Sequence, residues 1–284
     1  MTTDDSRVWL ITGSSSGFGR ALATAALHHG DRLVATARRP EVLDDLVAVA
    51  PDRVSAIPLD ITDPHAGHDA IAAAVERFGR LDVLVNNAGY GSVGAVEEID
   101  PGDLRTLMET MFFGAVTLTQ AALPQLRAQG SGAIVQISSM GGQVAPPGFG
   151  AYCAAKFALE AISESLAAEV APLGIHVLIV EPGAFRTEFG GARMHRSREL
   201  AAYAPTVGPT RAYIDGSDGT QRGDPAKAAA AILAALSAEH PPLRLALGDD
   251  AVDAIRDTLA RRQAELTAWE PTSRATAFAA TARA

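Results

Sequence analysis

The sequence predicts an α/β fold, a doubly wound Rossmann-type parallel sheet of seven strands with helices on both faces, and three observations predict it. Short apolar runs recur along the chain, segments of helical length separate them, and a glycine cluster follows the first run directly. Repeated strand–helix units need right-handed crossovers, and these cover both faces of one sheet.

The first strand is expected at residues 7–12 (RVWLIT), followed by a glycine turn at 13–19 and an Ala-rich helix reaching Gly30. Further strands are expected at 32–36, 54–59, 83–86, 133–138, 176–181 and 243–247. Helices are expected at 41–49, 64–78, 103–127, 151–171, 225–237 and 249–269. Residues 185–223 break this rhythm with Gly, Pro, Arg and scattered aromatics. Loops of such length inside compact domains are lids or binding loops, so a substrate lid is expected there. Residues 1–270 read as one catalytic domain and 271–284 as a flexible tail.

Bulk properties exclude several functions. A hydrophobic share of 48% with 20% charge is that of a folded globular chain. The net charge of −9 opposes attraction to nucleic-acid phosphates. No apolar run approaches the roughly 20 residues that span a bilayer. Residues 2–7 are acidic and polar where a signal peptide is basic and then apolar, so a cytoplasmic location is expected. Cys153, the only cysteine, cannot form an internal disulfide. The pairs His65/His68 and His28/His29 lack a third convergent ligand, so no metal is expected.

The turn Thr12-Gly13-Ser14-Ser15-Ser16-Gly17-Phe18-Gly19 lies between strand and helix, where backbone N–H groups and the helix dipole hold a pyrophosphate. A turn needing positive φ would explain one or two of its glycines equally well. The TGxxxGxG spacing occurs together with Asp60-Ile61, Asn86-Asn87-Ala88-Gly89, Ser139, Tyr152-x-x-x-Lys156 and Pro182-Gly183-x-x-x-Thr187. This ordered set, from Val8 to about Thr187, resembles the short-chain dehydrogenase/reductase family. The resemblance implies strand order 3-2-1-4-5-6-7 and a nicotinamide dinucleotide over the carboxyl ends of the strands. It places Gly13, Ser15, Gly17, Phe18, Gly19, Asp60, Ile61, Asn87, Ala88, Gly89, Pro182, Gly183 and Thr187 at that cofactor, with Tyr152 and Lys156 at its nicotinamide end. It also implies a homodimer or homotetramer through the helices at 103–127 and 151–171.

The second strand ends in Arg38-Arg39-Pro40, with no acid to meet the adenosine ribose. A planar guanidinium at Arg38 suits a 2′-phosphate instead, so NADP(H) is expected.

Tyr152 and Lys156 are four residues apart and share a helix face. Ionising a tyrosine near neutral pH requires a fall of about three pH units, or roughly 4 kcal/mol. An ammonium at about 4 Å, with an effective dielectric near 20, supplies on the order of 4 kcal/mol. Tyr152 is therefore expected to exchange a proton with a carbonyl or alcohol oxygen, while Ser139 donates a second hydrogen bond to it.

One position departs from the family. Met111, in Met111-Phe112-Phe113-Gly114, stands where an Asn is usual, and a thioether is a weak acceptor for the water that Asn anchors. A catalytically weak NADP-binding sensor or interaction protein is the alternative function that Met111 motivates. Phe149, Phe185, Phe189, Met194, Tyr203 and Tyr213 are expected on or beside the wall of a pocket for an apolar carbonyl compound or alcohol. The run Glu181-Pro182-Gly183-Ala184-Phe185-Arg186-Thr187-Glu188-Phe189 resembles the branch containing 17β-hydroxysteroid and retinol dehydrogenase-like proteins.

Overall fold

The structure, a computed structural model, describes residues 6–191 and 193–278; residues 1–5, 192 and 279–284 lie outside the described part. In chain order the elements are β1 (Val8–Ile11), α1 (Gly17–His29), β2 (Arg32–Ala37), α2 (Asp44–Val49), β3 (Val54–Pro58), α3 (Ala66–Phe78), β4 (Val83–Asn86) and β5 (Ser92–Val93). Then come α4 (Pro101–Met108), α5 (Gly114–Gln129), β6 (Gly132–Ile137), α6 (Gly150–Val170), β7 (Ile175–Pro182) and β8 (His195–Arg196). The chain ends with α7 (Ala204–Ser217), α8 (Pro225–Leu236), β9 (Arg244–Leu247) and α9 (Asp249–Arg274).

Seven parallel strands form one sheet in the order β3-β2-β1-β4-β6-β7-β9. The short β5 and β8 pair separately, so counting the main sheet alone gives the expected order 3-2-1-4-5-6-7. Residues of β1 are fully buried, and alternate side chains enter opposite layers. Trp9 and Ile11 pack with Leu22, Ala26 and Ile232 of α1 and α8, whereas Leu10 packs with Ile71, Leu118 and Leu166 of α3, α5 and α6. No helix among the described residues is long and apolar enough to cross a membrane.

Three elements differ from the sequence expectation. The helix expected at 103–127 starts at Pro101, capped by the Asp100 carboxylate on Gly102 N (2.7 Å), and is interrupted by a π-turn at Glu109–Phe113. Gly114 follows that turn against Ile61, where a Cβ would fall 2.6 Å from the Ile61 carbonyl oxygen, so the helix packs there only because the residue is glycine. The segment 185–223 is not irregular throughout, since it contains α7 and β8. Its two ends meet in a bridge between Phe185 and Gly223, with Arg186 N donating to Gly223 O at 2.9 Å. The last helix runs to Arg274, five residues past Trp269 and into the expected tail 271–284, of which 279–284 lie outside the described residues.

Polar ties hold the sheet where it meets the first strand. Buried Asp82 accepts from Val8 N at 2.8 Å and from Arg80, and buried Asp31 accepts from Trp9 Nε1 at 2.8 Å. Replacing Asp82 by Ala leaves the buried Val8 N–H without its acceptor, a loss of about 1–3 kcal/mol in unfolding free energy. Urea denaturation checks this, and a loss below about 0.5 kcal/mol would show that the tie is dispensable.

Candidate active site

Parallel strands end on one edge, and the residues just beyond them assemble the site. Arg38 follows β2, Asp60 lies beyond β3, Asn87 follows β4, Ser138 and Ser139 follow β6, and Gly183 follows β7. Together they border a cavity of about 820 Å³.

The glycine turn forms one end. Gly13 and Gly17 have φ of +66° and +55°, a backbone that favours glycine. Ser16 at the start of α1 makes no side-chain cap, and the first turn holds no acid. The helix N-terminus therefore keeps N–H groups and a positive dipole end for an anion. Gly13, Ser15, Gly17 and Phe18 border the cavity, but Gly19 does not. A Cβ on Gly19 would lie 2.4 Å from the Gly13 carbonyl oxygen, so this glycine lets the helix close on the turn. Asn87 borders the cavity, and its side-chain amide donates to Thr12 O (2.7 Å) and Gly13 O (3.2 Å). Ala88 and Gly89 border the cavity, and Ala88 N donates to Thr12 Oγ1 at 2.9 Å.

Arg38 is exposed at the cavity and makes no hydrogen bond or ion pair among the described residues. The Asp60 carboxylate accepts from Thr62 N (3.0 Å) and Thr62 Oγ1 (2.7 Å); these bonds, with Arg38 nearby, hold it below its usual range although burial opposes them. Ile61, Pro182, Gly183 and Thr187 border the same space, and Thr187 stands 3.5 Å from where a Gly17 Cβ would be. A glycine cradle and an open helix N-terminus fit the pyrophosphate of a nicotinamide dinucleotide.

At the other end Ser139 caps a short turn, its Oγ accepting from Gly141 N at 3.0 Å. Tyr152 and Lys156 lie on α6, both buried. Lys156 Nζ is 5.9 Å from the Tyr152 ring centroid and donates to the Ile137 carbonyl oxygen at 2.7 Å. The expected depression of the phenol is not found. Burial pushes the Tyr152 phenol above its ordinary value and outweighs the opposing hydrogen bond from Ser139. Burial also brings the Lys156 ammonium down to about 8, against the pull of Glu160. In this state the Tyr152 hydroxyl keeps its proton.

Phe149 and Phe189 meet the Tyr152 ring edge-on, with centroids 6.1 Å and 5.3 Å away. Phe185, expected beside them, packs instead on Phe18 (5.0 Å) in the core behind the glycine turn, although it touches the cavity margin. Met194 and Tyr213, also expected at the wall, border the cavity, whereas Tyr203 does not and its hydroxyl donates to Glu97. The sequence reading missed Tyr90, Thr110, Met140, Val144 and Ile214, which border it too. Tyr90 could have been found from its place directly after Gly89; the others carry no local signal. Met111 is 1% exposed, with its sulfur 3.6 Å from where a Gly89 Cβ would be. Cys153 is buried, its thiol pushed up to about 11 by burial and directed at Val144 O, which makes it a poor nucleophile at neutral pH.

The outer wall is tied down at Glu98. Its carboxylate accepts from Ala95 N (2.7 Å), Leu200 N (2.7 Å) and Arg211 (2.8 Å). Burial pushes this carboxyl up, but the three donors outweigh it and hold it below its usual range.

Residues 7–197 match the family described as short chain dehydrogenase. A solved short-chain dehydrogenase from Streptomyces avermitilis is 56% identical, with a TM-score of 0.92 over 97% of this chain and 100% of that one. Retinol dehydrogenase 5 of Homo sapiens is 36% identical over 258 residues, 85% of this chain and 80% of its own. A short chain dehydrogenase from Burkholderia cenocepacia, solved in complex with NADP, is 28% identical, with a TM-score of 0.72 over 92% of this chain and 96% of that one.

Substituting Gly19 by Ala forces the clash described above into the cradle. The expected outcome is dinucleotide binding weakened by about tenfold or more, equivalent to roughly 1.4 kcal/mol. Titration of NADPH fluorescence checks it; wild-type affinity in a folded variant would show that the turn has slack.

Proposed function

The chain belongs to the short-chain dehydrogenase family, with relatives in its retinol dehydrogenase-like branch, and from there we propose that it is an NADP(H)-dependent reductase of ketones on apolar small molecules. The reverse oxidation of secondary alcohols uses the same groups. The observation that carries this is the placing of Ser139, Tyr152 and Lys156 in one cavity with the glycine cradle and Arg38.

When bound, the dinucleotide supplies or takes up the hydride. Tyr152 gives its proton to the carbonyl oxygen, and the Ser139 hydroxyl donates a second hydrogen bond there. Because burial keeps the phenol protonated, the acid's part in reduction is the one this arrangement favours. Lys156 holds a positive charge near the phenol and so lowers the cost of the phenolate left after transfer. The aromatic wall of Phe149 and Phe189 excludes water and selects an apolar substrate body. Arg38 favours a 2′-phosphate of about two negative charges over a ribose hydroxyl. Assembly as a homodimer or homotetramer through α4, α5 and α6, the last carrying the exposed Ile162, belongs to the same proposal.

Met111 supports a second function, an NADP-binding sensor that turns over weakly, because its buried thioether cannot hold a water as an amide does. Mixing the protein with NADPH and a ketone panel separates the two, since a sensor binds NADPH without consuming it. For the reductase, Tyr152→Phe is expected to lose about 10²- to 10⁴-fold in turnover while NADPH binding persists. Turnover equal to wild type would overturn the assigned proton donor. Arg38→Ala is expected to raise the KM for NADPH and leave that for NADH nearly unchanged, and equal effects on both would remove the basis for NADP preference.

A further inference from the structure

Behind the proposed reacting residues lies a buried charge cluster whose carboxylates and guanidinium do not border the cavity. Glu160, one helical turn after Lys156 on α6, is 3% exposed, and so is Glu181 on β7. The Glu160 carboxylate accepts from Ser138 Oγ (2.7 Å), Gln143 Nε2 (2.6 Å) and the Arg244 guanidinium of β9. Arg244 also reaches Glu181 (3.0 Å) and Glu164 (2.9 Å), and Gln143 bridges to Glu181 (3.1 Å). From α9, Arg262 donates to the Gln143 carbonyl oxygen at 2.8 Å. A Cβ on Gly142 would fall 2.0 Å from Glu160 Oε1, so the turn that begins at Ser139 is shaped around this carboxylate.

Lys156 is 5% exposed, and its ammonium donates to a neutral carbonyl, that of Ile137. A buried ammonium with no counter-charge sheds its proton. We propose that Glu160 is a positioning residue that keeps the Lys156 ammonium charged and, through Ser138 and Gln143, fixes the turn bearing Ser139. This rests on the function proposed above only for its consequence in turnover. Burial, with the neighbouring Glu181, holds the Glu160 carboxyl above its usual range, and Ser138 and Arg244 oppose that rise, so its charge depends on the bonds just described. Burial lowers Lys156 and Glu160 opposes that fall. The sign follows: removing the carboxylate's charge moves the lysine midpoint further down. Between the new midpoint and the old, the variant's lysine is neutral where the native one is charged.

The chain contains only two lysines, Lys156 and Lys227, and Lys227 is exposed. Full-length protein grown on isotope-labelled lysine therefore gives two side-chain signals, and their pH titration by NMR reads Lys156 directly, with Lys227 as internal control. The native Lys156 midpoint is expected near 8. In Glu160→Gln it is expected to be lower by about one pH unit or more, with Lys227 unmoved. Glu160→Asp, which keeps the charge, recovers most of that fall. Ser138→Ala, a neutral change that withdraws a hydrogen bond from the carboxylate, gives a smaller fall in the same direction and serves if Glu160→Gln does not fold. The alkaline limb of kcat for ketone reduction moves with the lysine midpoint; a purely structural role lowers kcat without moving the limb. A Lys156 midpoint unchanged in the folded variant overturns the proposal. A native protein that reduces no ketone, yet shows the shifted lysine signal, overturns the proposed function and leaves the coupling standing.

Discussion

The site depends on one hydroxyl. Thr12 Oγ1 accepts from Asn87 N (2.8 Å) and Ala88 N (2.9 Å) and donates to Val85 O (3.3 Å), while the Asn87 side chain returns to Thr12 O. These bonds lock the glycine turn after β1 to the end of β4, so both sides of the sheet's central crevice move as one piece. The cradle can then be built from glycines, which lack side chains to brace themselves, because the bracing comes from a neighbouring strand. Gly19 completes the lock by allowing α1 to approach within the space a methyl group would need.

Much of the fold was legible because its signals are local. Apolar runs mark buried parallel strands, and their alternation with helical segments fixes a doubly wound sheet. The limits of the segment 185–223 were legible for the same reason, and its ends do meet at Phe185 and Gly223. Its inner helix α7 was not, because Gly208, Pro209 and Gly216 lie inside it and intrinsic preference argues against a helix there. The π-turn at Glu109–Phe113 escaped because one extra residue per turn barely changes an apolar period.

The candidate site was legible as a set of residues and less so as an energy balance. Ser139, Tyr152 and Lys156 come together as their spacing suggested, but a helical repeat gives only adjacency, not the degree of burial. Desolvation reversed the expected direction at Tyr152, and nothing in a four-residue spacing reports desolvation. The cluster around Glu160 was invisible for a different reason. Its carboxylate is met by a guanidinium 84 residues later, and only the sheet order brings β9 beside β7.

The Glu98 tie has a consequence for how far this wall can move. One carboxylate fastens the loop before α4, the stretch preceding α7 and α7 itself, so this side of the chamber behaves as a fixed jamb. Swinging it outward would strand a charge in a dry interior, a far dearer event than parting a surface contact. The middle of the segment 185–223 is thereby held to the loop before α4 by a charge pair that water barely reaches, Arg211 with Glu98.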